Sequence, residues 1–289
     1  MPELPEVETI IRRLRNGTHE HPPVPGQTIQ SVAVAWDRII AEPDIESFKK
    51  ALIGKRITGA HRRAKYLHFP LDEGHLVGHL RMSGDMRMVR RLDPEGNPIP
   101  KDEYDQVVID FESNWRMTFS SIRKFGRMWY TDDLRLIFGK LGPEPLTDDF
   151  TVEQLYEIIH AHSRQIKPLL LDQHILAGLG NVYTDESLFQ AKIHPLRRSD
   201  SLSEIETQML YHAIQHTLTQ GILNFGASLD WIYRGGEFQN YFKVYQQEDQ
   251  PCPVCGTMIK KINVGQRGTH FCPNCQKPPS SSTSEEIGD

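Results

Sequence analysis

The sequence predicts an α+β protein of more than one domain, because its hydrophobic period changes twice along the chain. A short helical segment comes first, β-type segments fill most of the first half, and longer helical periods fill the second half. All four cysteines follow residue 251, in a module of their own. At 289 residues the chain can bury a sizeable core, and this length favours two domains.

The first predicted element is a helix within MPELPEVETIIRRLR. Pro5 suits a first helical turn, where a missing N–H costs nothing, and Glu6 and Glu8 suit the positive end of the helix dipole. Apolar residues recur at helical spacing: Leu4, Val7, Ile11 and Leu14. We therefore expect a packed helix to pin the terminus. An ordinary amphipathic first helix, with no further role, remains open.

The next elements are strands, rich in β-branched and aromatic residues and separated by Gly, Pro and Asn. They are TIQSVAVAW, RITGAHRRAKYLHFPL, HLVGHLRMSGDMRMV, QVVIDFES, WRMTFSSI and FGRMWYT. Their short, regular spacing favours a sandwich or a barrel over alternating β–α units. The Gly- and Pro-rich segment GKLGPEPLTDDF then indicates a linker.

Helical periods follow the linker, in TVEQLYEIIHAHS, QIKPLLLDQ, NVYTDESLFQAKI and SLSEIETQMLYHAIQHTLTQGIL. Ser203 and Glu206 have the spacing of a capping box for the last of these helices. The predicted division of the chain is a β domain, a linker, a helical domain, a cysteine module and a disordered tail: 2–138, 139–150, 151–240, 241–276 and 277–289.

The net charge of −5 argues by itself against a nucleic-acid partner, but basic residues are clustered. Residues 47–71 hold seven lysines and arginines and no acidic residue, and residues 252–275 hold three and no acidic residue. A further basic cluster consists of Arg116, Arg123, Lys124 and Arg127. Such clusters suggest a one-sided surface for a polyanion. Solvated basic faces scattered over the fold are the simpler interpretation.

The cysteines Cys252, Cys255, Cys272 and Cys275 form the pattern C-x2-C-x16-C-x2-C, a strong zinc signal. Four thiolates around one Zn²⁺ make a closed structural site, which can contribute about 10 kcal/mol to the folding of a small module. Two disulfides are the alternative. The sequence shows neither a signal peptide nor an apolar run of membrane-spanning length, so we expect a reducing cytoplasmic location, which disfavours disulfides.

A Gly-rich turn between two predicted helices, Gly178–Asn181, resembles a phosphate-binding turn. Glycines allow close backbone approach, and the N–H groups at a helix start attract anions. Asn181 is expected to be the N-cap of the second helix. Purely local capping by the same residues is the alternative interpretation.

Seven motifs occur in the order found in bacterial formamidopyrimidine-DNA glycosylases, and the chain resembles that family over nearly its whole length. They are PELPEVET at the start, RRAKYL at 62–67, HLRMSG at 79–84, RKFG at 123–126, LGPEPL at 141–146, GLGNVYTDESLF at 178–189 and QRGTHFC at 266–272. The resemblance implies a DNA glycosylase and abasic-site lyase for oxidised purines. It also implies a β-sandwich domain, a helix–two-turn–helix domain and a zinc finger.

The resemblance assigns roles to individual residues. It makes Pro2 the nucleophile, once Met1 is removed, and Glu3 the acid/base residue. It places Lys65 on the phosphate of the lesion and implies further phosphate contacts by His79, Asn181, Tyr245 and Arg267, and the catalytic set then comprises Pro2, Glu3, Lys65 and Arg267. Three side chains enter the duplex when the damaged nucleotide is turned out, namely Met82, Arg123 and Phe125.

The implied partner is damaged double-stranded DNA, bound by a monomer that associates with the nucleoid. Segment 227–238 matches the lesion-contacting loop of the family and is shorter than usual there. The sister branch that removes oxidised pyrimidines is the nearest alternative, but it usually begins Pro-Glu-Gly-Pro-Glu, whereas this chain has Leu4. A zinc-containing DNA-binding protein without activity is a further alternative, which the presence of Pro2, Glu3 and Lys65 disfavours.

Overall fold

The computed structural model describes residues 1–228, 233 and 235–278. These residues form two compact units. Unit 1 comprises 1–142 and 218–240, and unit 2 comprises 143–217 and the chain from Tyr241 onward. The α+β prediction is confirmed. In the described part of the chain, no helix has the length and hydropathy needed to cross a membrane.

Unit 1 contains two β-sheets and a leading helix, α1 (Leu4–Asn16). The first sheet is antiparallel with the order β1-β7-β8-β6 and consists of β1 (Ile29–Val34), β6 (Gly84–Arg90), β7 (Asp105–Phe111) and β8 (Trp115–Ser121). The second has the order β2-β9-β5-β4-β3 and consists of β2 (Ile40–Glu42), β3 (His61–Arg63), β4 (Tyr66–Pro70), β5 (His75–His79) and β9 (Arg127–Thr131). Unit 1 also contains two shorter helices, α2 (Ile45–Leu52) and α3 (Arg135–Phe138).

The core of unit 1 lies between the two sheets. One cluster of buried side chains combines Met86, Ile109 and Phe119 of the first sheet with Leu67 and Phe69 of the second. The apolar stripe of α1 belongs to the same cluster: Val7, Ile10, Ile11 and Leu14. Two faces that share a core make a sandwich, so the sandwich prediction is confirmed over the barrel.

Unit 2 is helical, with a small β-hairpin. Its elements are α4 (Val152–His160), α5 (Ile166–Leu171), α6 (Asn181–Gln190), α7 (Glu204–Leu223, whose last turns belong to unit 1), β10 (Lys260–Val264) and β11 (Arg267–Phe271). The capping box is confirmed, because the N–H of Ser203 donates to Glu206 at 2.9 Å and the N–H of Glu206 donates to Ser203 Oγ at 3.2 Å.

Most predicted strands and helices are present, but two predicted strand segments each divide into two strands, β3 with β4 and β5 with β6. The elements α2, α3, β2, β10 and β11 were not predicted. The two compact units are a coarser division than the five predicted segments, which stay a prediction. The predicted helical domain includes residues 218–240, whereas in the structure these residues belong to unit 1. Most of the predicted tail, from residue 279, lies outside the described residues.

Candidate functional site

The chain terminus in unit 1 is buried and hydrogen-bonded. Pro2 is buried and Glu3 is 3% exposed at the start of α1. Glu3 is the N-cap of the helix: its N–H donates to Glu6 Oε2 at 2.7 Å, and its carbonyl accepts the N–H of Val7 at 3.1 Å. The helix expected at the terminus is therefore confirmed, and it fixes the backbone of Glu3.

The Glu6 carboxylate joins this terminus to a distant loop of unit 1. Its second oxygen, Oε1, accepts the N–H of Ala227 at 2.7 Å. The preceding Gly226 has φ +76°, and a Cβ there would lie 2.7 Å from the same oxygen. Only glycine combines this left-handed backbone with so close an approach. The sequence assigned Glu6 to the helix dipole alone and gave no sign of this bridge.

Lys65 and His79 lie near each other beneath the surface of unit 1. Lys65 is 4% exposed, in the turn between β3 and β4, and His79 ends β5 with 7% exposure. Burial, with the charges of Arg81 and Lys65, lowers the pKa of His79 to about 3. The Nδ1 atom of this neutral ring accepts the N–H of Arg81 at 3.0 Å. The ring proton is therefore on Nε2, which becomes a hydrogen-bond donor.

Met82 and Arg123 lie on two turns that are hydrogen-bonded to each other. Met82 is between β5 and β6, and Arg123 is between β8 and β9. The Arg123 guanidinium donates from Nη2 to the carbonyl of Met82 at 3.1 Å, and the backbone N–H of Arg123 donates to Ser83 Oγ at 3.4 Å. The structure thus brings together two of the three side chains expected to enter a duplex.

The third of these side chains, Phe125, is 55% exposed on the same β8–β9 turn. The preceding Lys124 has φ +56°, and its ammonium lies 4.6 Å from the centre of the Trp36 ring, a cation–π contact that holds the turn. The following Gly126 passes so close to Phe119 that a Cβ would lie 2.6 Å from the ring. Phe125 is therefore not a core residue of the sandwich. An aromatic ring left exposed on a braced turn is available to a ligand.

In unit 2, Asn181 and the β10–β11 hairpin are hydrogen-bonded. The N-cap of α6 is Gly180 rather than Asn181, which corrects the sequence prediction. Asn181 is the first helical residue instead, and its Nδ2 donates to the carbonyl of Gly268 at 2.9 Å. Arg267, next to Gly268, is exposed and begins β11. The side-chain amide of Asn181 is thus bonded to the residue next to Arg267, and the resemblance implies that both side chains contact phosphate.

The hairpin places Arg267 immediately after a two-residue turn. Gly265 and Gln266 have φ +55° and +63°, as a type I′ turn requires, and Val264 pairs with Arg267 across it. The paired hairpin therefore fixes the backbone of Arg267 within the cysteine module.

A buried ammonium of unit 2 supports the same hairpin. Lys167, on α5, is 0% exposed, and its Nζ donates to Asp185 Oδ1 at 2.6 Å, Thr269 Oγ1 at 2.8 Å and the Gly268 carbonyl at 3.1 Å. The other oxygen of Asp185 accepts the backbone N–H of His270 at 2.9 Å. All three N–H bonds of the ammonium thus hold the hairpin to α5 and α6.

Glu186, next to Asp185 on α6, fixes the segment that carries Tyr245. It is 5% exposed, and its carboxylate accepts the backbone N–H groups of Lys243, Val244 and Tyr245 at 2.8–3.1 Å. Burial raises the pKa of Glu186, against the lowering effect of these three N–H groups. The Tyr245 ring packs edge-on against His270, with 5.2 Å between ring centroids.

The four cysteines converge to a geometry that fits zinc. All four sulfurs lie within 4.8 Å of one another, with 3.5 Å between Cys255 and Cys272 and 3.9 Å between Cys252 and Cys275. Four ligands at a Zn–S distance of about 2.3 Å in a tetrahedron stand about 3.8 Å apart. The thiols are not joined as disulfides. One structural Zn²⁺ is therefore the cofactor, as the spacing predicted.

Sequence reasoning missed the buried acids and the buried lysine that support these residues. A signal for the acids exists in α6, where Thr184, Asp185, Glu186 and Ser187 follow one another in a helix that is buried on all sides. A polar run in a buried helix requires buried partners. The lesion-contacting loop expected at 227–238 falls partly on residues 229–232 and 234, outside the described residues.

Comparisons with known proteins agree with this geometry. The N-terminal domain of formamidopyrimidine-DNA glycosylase matches residues 1–128, its H2TH domain matches 141–230, and a zinc finger found in FPG and IleRS matches 249–278. The formamidopyrimidine-DNA glycosylases of Brevibacillus brevis and Enterococcus faecalis are each 40% identical over 96% of this chain and 99% and 98% of their own lengths.

Two solved structures are similar over the whole fold, each with a TM-score of 0.86 over 96% of this chain and 100% of the other. One is MutM in complex with DNA that contains carbocyclic 8-oxo-G, at 37% identity. The other is the Lactococcus lactis Fpg in complex with DNA that contains an abasic site, at 36% identity.

Proposed function

The chain belongs to the formamidopyrimidine-DNA glycosylase family, and from this membership we propose which of its residues carry the reaction and which lesions it removes. It is a base-excision repair enzyme, a DNA glycosylase with abasic-site lyase activity, and damaged double-stranded DNA is its partner. The observation that carries our assignment is the buried Pro2–Glu3 start of α1, with the backbone of Glu3 fixed by Glu6.

Pro2 is the nucleophile in this proposal. Met1 must first be removed, because an amide nitrogen has no available electron pair. A terminal amine has a reference pKa of about 8, so a useful fraction is neutral near pH 7. The Pro2 nitrogen bonds to C1′ of the deoxyribose while the bond from C1′ to the ring oxygen breaks. The nitrogen then loses its proton, and its electron pair forms the C=N bond as the base leaves with the electron pair of the C1′–base bond and takes up a proton. A secondary amine gives an iminium, a cation that draws electrons as the 3′ and then the 5′ phosphate is eliminated.

Glu3 supplies and removes protons in the same sequence. It donates a proton to the ring oxygen of the sugar as C1′ is attacked, which opens the ring, and it later moves protons during elimination. Its backbone position at the N-cap of α1 keeps it one residue from the nucleophile. The short tether holds both groups against the same sugar.

Each unit contributes phosphate contacts of its own. In unit 1 these are Lys65, a charge, and His79, a neutral donor through Nε2. In unit 2 they are Asn181, Tyr245 and Arg267, held by the buried acids and Lys167. Such contacts fix the register of the duplex and make affinity fall steeply with salt through counterion release.

The lesions we propose are oxidised purines, 8-oxoguanine and formamidopyrimidines. Relatives of this chain were solved with carbocyclic 8-oxo-G, with Fapy-dG and with an oxidised pyrimidine in their DNA. The curated relatives are named formamidopyrimidine-DNA glycosylases, which favours this branch over the sister branch for oxidised pyrimidines. When the damaged nucleotide is turned out, Met82 and Phe125 fill the gap that it leaves in the base stack. Arg123 hydrogen-bonds the unpaired base on the opposite strand. Because its substrate is chromosomal DNA, we place the enzyme at the nucleoid.

Borohydride trapping on abasic-site DNA tests the nucleophile. The processed protein should become covalently attached to DNA, and peptide mapping should place the cross-link on Pro2. A matched protein with one glutamine inserted between Met1 and Pro2 retains its methionine and should not be trapped through Pro2. It should still bind the duplex, because α1 keeps its apolar stripe. Equal trapping of the extended protein, or a cross-link on Lys65, contradicts the assignment.

Glu3→Gln tests the acid. The variant should lose base excision more than strand cleavage at a preformed abasic site, since cleavage there needs no departure of a base. Equal excision by variant and wild type would remove Glu3 from the mechanism.

A further inference from the structure

Three histidines lie on the outer face of the second sheet of unit 1, on neighbouring strands. His61 on β3 and His68 on β4 are directly opposite each other in the antiparallel register, with ring centroids 5.9 Å apart. His75, at the start of β5, has its ring 5.0 Å from that of His68. The motifs and the reaction leave this cluster unexplained.

His68 and His75 already stand at the spacing of two ligands of one metal ion. His68 Nε2 is 3.1 Å from His75 Nδ1. Two imidazole nitrogens at a metal distance of about 2.0–2.1 Å stand about 3.3 Å apart in a tetrahedron. The hydrogen bond now joining the two rings can therefore be replaced by a metal ion with very little movement of the backbone.

The surroundings hold these rings in place and keep them available. Phe138 packs edge-on against His68, with 5.9 Å between ring centroids. The His61 ring lies over Gly59, where a Cβ would be 2.7 Å from Nε2, so the missing side chain gives the ring its room.

We propose that His68 and His75, joined by His61 after a side-chain rotation, form a second metal site for a transition-metal dication that prefers imidazole ligands. Among such ions Cu²⁺ binds most tightly, with Ni²⁺ and Zn²⁺ weaker. Among the described residues only the four cysteines already form a group of three or more ligands that could hold a metal ion, so this site is completed on binding, with water in the remaining positions.

Binding would connect three neighbouring strands, two of which flank a turn of the proposed reaction site. His61 is on one side of the β3–β4 turn and His68 is on the other, and Lys65 is in the turn itself. A metal ion across these strands stabilises them by mass action, because it binds the folded state alone. Occupancy should therefore raise the thermal midpoint of unit 1.

Copper titration of the zinc-loaded chain, carrying no polyhistidine tag, tests the proposal. We expect one Cu²⁺ per chain beyond the cysteine-bound zinc, with ¹⁴N hyperfine lines from two or three imidazoles in the electron paramagnetic resonance spectrum. His68→Gln or His75→Gln should weaken this binding by roughly 100-fold or more, given that loss of even a supporting residue costs about 10–100-fold. His61→Gln should weaken it less.

The matched control is His19→Gln, whose side chain is 91% exposed on another part of unit 1. It should leave copper affinity and thermal midpoint unchanged. Absence of nitrogen hyperfine lines from the wild-type chain contradicts the proposal without any variant, so a poorly folding variant does not weaken the test. Equal copper affinity in folded His68→Gln overturns it as well, and neither result bears on Pro2.

Discussion

The two units hold the residues that we propose to contact DNA by different physical means. Unit 1 fixes the chain terminus chiefly through the apolar stripe of α1, with Leu4, Val7 and Ile11 all at 0% exposure. It adds a single buried carboxylate, Glu6, and presents Phe125 on an exposed turn. Unit 2 holds Asn181 and the hairpin of Arg267 through buried charges, Lys167 and Asp185. Apolar packing tolerates change at the tips of turns, whereas a buried charge requires its partner.

This difference separates function from stability in one unit and joins them in the other. In unit 1, tips such as Met82 and Phe125 can change while the sandwich core remains intact. In unit 2, removal of a supporting group should displace the proposed phosphate contacts and also destabilise the fold, because the same hydrogen bonds hold both. The following experiments test this contrast, in order of expected effect on stability.

Removal of zinc should have the largest effect. A structural Zn²⁺ contributes about 10 kcal/mol or more to the folding of a small module. Chelation, or Cys272→Ser, should therefore unfold the hairpin of Arg267 and abolish specific duplex binding, while near-ultraviolet circular dichroism of the sandwich persists. DNA affinity that is unchanged in the metal-free protein would break the comparison, since unit 2 would then not depend on its buried ligands.

Lys167→Met should come next. It leaves the Asp185 carboxylate buried at 1% exposure without its cation, and breaking a buried pair in this way costs about 3–5 kcal/mol. Amide hydrogen exchange at His270 should accelerate strongly, and duplex affinity should fall. The matched variant in unit 1 is Glu6→Gln, which keeps one acceptor of two and should cost only about 1–3 kcal/mol.

Lys167→Met with Asp185→Asn provides the internal check. Removing both charges should recover part of the lost stability, because no uncompensated ion remains buried. A double variant no more stable than Lys167→Met would show that the charge pair is not what supports the hairpin.

The sequence predicted local features well and paired features poorly. Helix α1, the Ser203–Glu206 capping box and the cysteine spacing depend on residues close together in the chain, so their physics can be read from short segments. The bond between Lys167 and Thr269 joins residues 102 positions apart. Nothing local distinguishes Lys167 from a solvated lysine, so its role became visible only in the fold.

The unpredicted helix α2 is a different case. It has an N-cap in Asp44, whose side chain accepts the N–H of Ser47 at 3.0 Å, and it buries Phe48 and Leu52. Those signals were present locally, but the helix has only eight residues between β-type segments. A short apolar period of this kind does not separate helix from strand.

A pH titration sharpens the comparison, because unit 1 keeps His79 buried and neutral whereas unit 2 keeps Lys167 buried and charged. The pKa of His79 is lowered to about 3, against 6.5 in the unfolded chain. Between pH 6.5 and about 3, His79 is therefore protonated in the unfolded state but neutral in the folded state. The contribution of His79 to the free energy of unfolding is therefore fully present above pH 6.5. It falls as the pH decreases towards 3, by at most about 1.4 kcal/mol per pH unit.

His79→Gln should show a shallower loss of stability over the same range in urea unfolding at several pH values. His68, whose pKa is also lowered, contributes equally to both proteins, so their difference isolates His79. Parallel curves for the variant and the wild type would mean that His79 takes up its proton without opening the structure.

Phe125→Ala should change stability least of all and most clearly separates function from folding in unit 1. The ring is 55% exposed, and surface substitutions usually stay within about 0.5 kcal/mol. Phe119→Ala, at 1% exposure in the core, is the matched control and should cost about 3–5 kcal/mol.

If Phe125 restacks the opened duplex, its loss should slow excision from damaged duplex about tenfold or more, since base–aromatic stacking is worth about 1–3 kcal/mol. Cleavage of a single-stranded abasic substrate, which has no stack to refill, should be unchanged. A large loss of stability in Phe125→Ala, or equal excision rates on duplex, would show that this turn belongs to the fold rather than to DNA recognition.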